Sequence, residues 1–145
     1  MIMDQRINII TLGVKNMDNA IQFYENELGW HRSSMSQGDI VFFDCNGLML
    51  ALYPLDKLAE DALSSSDGSG FKGITLAINM RSKEDVDSTF ALLKSSSAKI
   101  VKAPEEVFWG GYSGYFEDPD GHLFEIAYNP FITLDAKGEI QLKDK

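Results

Sequence analysis

The sequence predicts an α+β fold: two paired units, each a strand, a helix and three further strands (βαβββ), forming a curved mixed sheet around a cleft. Three observations predict it. Ile10-Thr11-Leu12 recurs as Ile74-Thr75-Leu76, each time on a strand that runs into a helix. A glycine-headed apolar strand, Gly47 to Tyr53, recurs as Gly121 to Tyr128. Between the copies, Ser64 to Gly70 has the composition of a flexible linker. One such unit cannot bury its sheet face alone, so two are expected to share a core. A ferredoxin-like arrangement is the alternative, and it would leave the third strand of each unit without a role.

In the first unit, residues 1–54, Ile7 to Val14 reads as a strand and Asn16 as an N-cap. The spacing of Ala20, Tyr24 and Leu28 predicts a helix from Met17 to Leu28 with one apolar face, ended by Gly29. Trp30 to Met35, Ile40 to Asp44 and Leu48 to Tyr53 read as antiparallel strands joined at Gln37-Gly38-Asp39 and Asn46-Gly47. Residues 55–70 connect the units, first as a short helix to about Leu63. The second unit, residues 71–130, opens with a strand from Phe71 to Asn79. Ser82 and Asp85 then start a helix whose buried stripe is Val86, Phe90 and Leu93. Lys99 to Ala103, Tyr112 to Glu117 and His122 to Tyr128 complete the strands. Asp118-Pro119-Asp120-Gly121 is a strong turn, because proline presets φ and glycine takes the left-handed position. The tail, residues 131–145, carries a hairpin of Ile132 to Leu134 and Glu139 to Leu142.

Composition narrows the function. The 145 residues have the length of one domain and, at 44% apolar and 24% charged, the balance of a globular protein. No apolar run reaches the roughly 20 residues of a membrane span, and the start lacks a signal pattern, so a cytoplasmic location is expected. The lone Cys45 forms no intrachain disulfide and reads as a small buried hydrophobe. A net charge of −9 argues against nucleic acid and mildly favours a cationic or neutral ligand.

Ile10-Thr11-Leu12-Gly13-Val14, Ala20-Ile21-Gln22-Phe23-Tyr24 and Leu28-Gly29-Trp30 resemble the first half of the vicinal oxygen chelate superfamily. That group holds glyoxalase I, bleomycin-resistance proteins and extradiol dioxygenases. The run from Phe116 to Glu125, with Asp118-Pro119-Asp120-Gly121 at its centre, looks like the second-half signature and is the more specific of the two. Trp109-Gly110-Gly111-Tyr112, Asn129-Pro130 and the tail hairpin resemble an uncharacterised bacterial glyoxalase-like subgroup. The resemblance implies ligand positions on the first and last strands of each unit: Ile9, Ala51, Gly73 and Glu125. Only Glu125 carries a donor atom, whereas zinc, nickel or iron sites need three or four. Strand parity sets His122 and Glu125 on opposite faces, and His31 follows the first helix.

The expectation is therefore a metal-independent small-molecule binding protein similar to bleomycin-resistance proteins, with no cofactor and with the ligand, aromatic or cationic, held in the cleft. Dimerisation is implied by the same resemblance. Parity places Thr11, Met49, Tyr53, Thr75 and Glu125 on the cleft side, a mostly apolar lining with few polar groups, as ligand sites usually have. Trp30 and Phe43 read equally as lining its mouth or as core, and Trp109 sits on a glycine-rich loop that can act as a lid and stack on a planar ligand. The alternative is a glyoxalase I-like lyase or isomerase, or another enzyme of the superfamily. It would use Glu125 as base or residual ligand and take a divalent metal such as nickel, zinc or iron.

Overall fold

In the computed structural model, which describes residues 2, 3 and 5–141, the chain divides into two units, Met1–Ser69 and Gly70–Lys145. The first holds a three-stranded mixed sheet. β1 (Ile9–Val14) runs parallel to β3 (Met49–Pro54), which pairs antiparallel with β2 (Val41–Asp44), giving the order β1-β3-β2. Alternation puts Leu12, Val14, Leu50, Leu52, Val41 and Phe43 on one face, and all six are buried. Each such side chain contributes roughly 1.5–3 kcal/mol of burial free energy. Of its two readings, Phe43 takes the core one.

Helix α1 (Met17–Ile21) covers that face, and the Asn16 side chain caps it by accepting from the Asn19 N–H at 3.0 Å. The predicted α-helix to Leu28 is α-helical only to Ile21. Gln22–Glu27 forms a π-helical turn, in which the Leu28 N–H reaches the Phe23 carbonyl at 2.9 Å. Tyr24 at its centre is fully buried, with ring centroids 5.4 Å from Trp30 and 5.7 Å from Phe43. The expected strand Trp30–Met35 is reduced to one bridge, Arg32 to Phe43. Serine hydroxyls take the backbone groups a ladder would need: Ser36 Oγ accepts from the Phe42 N–H at 2.9 Å and Ser33 Oγ from the Met35 N–H at 3.1 Å. After β3, α2 (Leu55–Asp61) lies against β1, so closely that a Cβ on Gly13 would stand 2.6 Å from Leu55 Cδ1.

The second unit holds a four-stranded mixed sheet of order β4-β7-β6-β5. Its strands are β4 (Leu76–Met80), β5 (Lys99–Glu106), β6 (Tyr112–Glu117) and β7 (Leu123–Tyr128), with β4 and β7 parallel and the other pairs antiparallel. Strand β4 begins five residues later than expected. Gly70 and Gly73 both have positive φ, which interrupts an extended chain, and pairing starts only where Leu76 meets Phe124. Helix α3 (Lys83–Leu93) is capped by Ser82 Oγ, which accepts from the Asp85 N–H at 3.1 Å. Its stripe Val86, Phe90 and Leu93 is buried as predicted, as are Phe116, Phe124 and Ile126 of the sheet. Phe116 and Phe124 stack at 5.2 Å.

The turn between β6 and β7 is organised by Asp118, which is 3% exposed and accepts from the N–H groups of Asp120 and His122 at 2.9 Å each. Beyond β7, β8 (Thr133–Leu134) and β9 (Ile140–Gln141) form the tail hairpin; Leu142, expected to end it, lies outside the described residues. Arg81 donates to the Asp135 carbonyl at 2.6 Å and ties the hairpin to the end of β4. Among the described residues no helix is long and apolar enough to cross a membrane.

Candidate functional site

The second sheet has one face under α3 and one that α3 leaves uncovered. Successive strand residues alternate, so with Phe116, Phe124 and Ile126 directed into the core, Ser113, Tyr115, Glu117, Leu123, Glu125 and Ala127 take the other face. Across it, cross-strand register lines up Ala77, Glu125, Tyr115 and Lys102 from β4 to β5. This row sets three titratable side chains on adjacent strands. Tyr115 and Glu125 are register partners on adjacent strands. Burial first, and then the negative charge of Glu125, push the Tyr115 phenol up, with Lys102 opposing in part.

Lys102 reaches this face through a backbone irregularity. Alternation alone would put Lys102 and Glu105 on opposite sides of β5. Register shifts between Ile100 and Lys102, and again between Lys102 and Glu105, bring them together in an ion pair of 2.9 Å. Gly114 permits the shift, because a Cβ there would stand 2.6 Å from the Lys102 carbonyl and 2.9 Å from the Pro104 nitrogen. Glu105 first, then Tyr115 and Glu125, hold the Lys102 ammonium above its usual value.

The expected site residues fall in several places. In the first unit, β1 and β3 set Ile9, Thr11, Met49 and Tyr53 on the face opposite the buried Leu12, Leu50 and Leu52, and Ala51 on that face is fully buried. Thr75 and Gly73 are corrected: both lie ahead of β4, exposed, and neither stands beside Glu125, whose partner on β4 is Ala77. Trp30 packs on Tyr24 and Phe43 after the π-helical turn. Trp109 lies in the loop 107–111, 44% exposed, its indole folded over Gly111 so that any Cβ there would overlap it. The face around Glu125 carries Tyr115, Lys102, Glu117 and Ser113 beside Ala77, Leu123 and Ala127.

Tyr115 becomes legible once the turn is closed between Asp118 and His122: counting outward from that pair sets residue 115 opposite residue 125. Lys102 does not, because the bulges alter the count.

Ile9, Ala51 and Gly73 offer no lone pair, and among the described residues no three of His, Cys, Asp and Glu cluster to hold a metal ion. The chain's own residues at these positions do not fit a bound metal. Cys45 is half-buried, and burial pushes its thiol up, away from the reactive thiolate.

Comparison with known proteins adds what geometry cannot. The sequence profile of the Glyoxalase/Bleomycin resistance protein/Dioxygenase superfamily matches residues 6–126. Metallothiol transferase FosB of Lysinibacillus sphaericus is 29% identical over 141 residues, covering 97% of this chain and 92% of the relative. Metallothiol transferase FosB of Shouchella clausii is 30% identical over 122 residues, covering 83% and 77%. The crystal structure of a glyoxalase-related enzyme from Fulvimarina pelagi superposes with a TM-score of 0.85 at 30% identity, covering 95% of this chain and 98% of that one.

Two expectations change. The relatives' names are those of enzymes, which favours the enzyme alternative over the binding protein. The expectation that no cofactor is used is overturned, because those names describe metal-dependent chemistry. The match across residues 6–126, together with a βαβββ order in the second unit, shows that the chain belongs to the glyoxalase/bleomycin resistance protein/dioxygenase superfamily.

Proposed function

We propose that the chain is an enzyme of this superfamily that transforms a small molecule at the α3-free face of the second sheet, with Glu125 as its acid–base group. Thiol transfer to an electrophile is the reaction proposed first. The observation that carries the reading is the row of Glu125, Tyr115 and Lys102 across three adjacent strands. A carboxylate can take the proton of an attacking thiol, and the phenol on the adjacent strand can donate a hydrogen bond to an oxygen of the substrate. The relatives named metallothiol transferase support thiol transfer in particular. A lyase or isomerase reading uses the same carboxylate to move a proton beside a carbonyl.

Trp109 is proposed to stack on a planar part of the ligand, and Thr11, Met49 and Tyr53 are proposed as ligand-facing residues of the first sheet. The exposed apolar side chains Ile7, Ile9, Phe71 and Ile74 support assembly as a homodimer, which light scattering would measure.

The test mixes purified chain with cysteine or glutathione and a panel of epoxides and activated alkenes, alone and with each of several divalent cations, and reads adducts by mass spectrometry. Turnover is expected with at least one pair, and Glu125→Gln is expected to lower it about 10²–10⁴-fold. No adduct from any combination, or full activity in Glu125→Gln, would overturn the proposal. Ligand-induced thermal stabilisation without turnover would return the binding-protein reading.

A further inference from the structure

The loop 107–111 was expected to move as a lid, but its stems are held from outside. Glu106 and Tyr112 face each other across the last register pair of β5 and β6, immediately before and after the loop. Both are gripped by one turn of α3. Lys83 Nζ stands 2.6 Å from Glu106 Oε1, and the Tyr112 hydroxyl donates to Asp87 Oδ1 at 2.6 Å. Lys83 and Asp87 are four residues apart, so they share a helix face, and the Lys83 ammonium also lies 5.9 Å from the centre of the Tyr112 ring.

Inside this four-residue clasp the loop is closed on itself. The Val107 N–H donates to the Gly111 carbonyl at 2.9 Å and the Gly110 N–H to the Val107 carbonyl at 2.9 Å. The Trp109 indole lies on Gly111, where only glycine leaves room, and Phe108 beside it is fully exposed. A loop built only for flexibility would need neither the outer clasp nor the inner bonds.

We infer that Lys83 and Asp87 are positioning residues: through Glu106 and Tyr112 they fix the pose of the Trp109 indole, so that α3 presents a pre-set aromatic surface to a flat ligand. The purpose rests on the reading that Trp109 meets the ligand; the clasp itself can be tested without one. Preorganisation of this kind favours binding, because the ordering entropy is lost before the ligand arrives. Both clasp contacts are surface interactions, so each shifts the ratio of held to released loop by roughly two- to fivefold.

The experiment isolates Trp109 by Trp30→Phe and compares acrylamide quenching and emission maximum in that background, in Tyr112→Phe, in Lys83→Gln and in the pair combined. The indole is 44% exposed, so release is expected to raise its Stern–Volmer constant by up to about twofold, with a red shift, while the far-UV spectrum stays the same. Lys83→Arg is expected to keep the parent values. If Trp30→Phe fails to fold, 19F spectra of the 5-fluorotryptophan-labelled chain, assigned by Trp109→Phe, report the same change. Unchanged quenching or an unchanged 19F shift in the combined variant would overturn the inference. An inactive chain whose indole loosens sinks the proposed reaction alone; an active chain whose indole does not respond sinks the clasp alone.

Discussion

Replacing Gly114 by alanine tests the account of the candidate site without any substrate. Gly114 lies on β6 between the core side chain Phe90 and the irregular backbone of β5. An added methyl would stand 2.6 Å from the Lys102 carbonyl oxygen, 2.8 Å from Phe90 Cζ and 2.9 Å from the Pro104 nitrogen. Carbon contacts are comfortable at about 3.5–4.0 Å, so each neighbour must retreat by close to an ångström. The Phe90 ring can tilt; the two backbone atoms cannot move without breaking the register that brings Lys102 beside Tyr115.

Overpacking of this kind costs about 1–3 kcal/mol, and two of the three contacts being backbone puts Gly114→Ala in the upper part of that range. With a urea slope of about 1–3 kcal/mol/M, the unfolding midpoint should fall by roughly 1 M. In a Phe90→Leu background the ring contact is eased, yet most of the penalty should persist, because the carbonyl and the proline nitrogen remain. A midpoint within error of the parent, or a penalty wholly removed by Phe90→Leu, would refute the claim that glycine is needed for the β5 irregularity.

Other outcomes follow from the same geometry. Gly13→Ala should cost less, about 1 kcal/mol in a denaturant melt, because its nearest obstacle is the movable Leu55 methyl. Asp118→Ala should lower stability by about 1–3 kcal/mol in thermal unfolding, since it strips two N–H groups of their buried acceptor; Asp118→Asn should lose less. Glu25 is held below the usual carboxylate range chiefly by its hydrogen bonds from Arg32, with burial opposing. Its folded value is the depressed one, so the stabilisation is present above the unfolded value and is lost as pH falls through the folded one. Arg32→Gln should therefore cost at most about 1 kcal/mol at pH 7, discounted for the pair's exposure, and progressively less as the pH is lowered through the folded value.

Much of the architecture was legible because local rules agree with one another here. Asn16 and Ser82 both cap helices, Val86, Phe90 and Leu93 form the predicted stripe, and the Asp118–Gly121 turn closes as its residues require. The misses share a cause. Trp30 to Met35 has strand-like residues, but Ser33 and Ser36 bond the backbone first. Met17 to Leu28 has helical spacing, but the chain widens to a π-helical turn around Tyr24, whose ring packs against Phe23, Trp30 and Phe43. Phe71 to Thr75 is apolar enough for a strand but has no partner in register until Leu76.

The candidate site divides in the same way. That Glu125 stands on the face opposite Phe124 and Ile126 follows from two-residue alternation, and that Tyr115 faces it follows from the turn closing between Asp118 and His122; both are properties of neighbours along the chain. Lys102 beside Tyr115, and the grip of Lys83 and Asp87 on the stems of the Trp109 loop, depend on residues distant in sequence. There the outcome was decided by how β5 bulges around Gly114 and where α3 comes to rest. Local stereochemistry is written in short words of sequence, whereas the meeting of distant side chains is set by packing, which no short word contains.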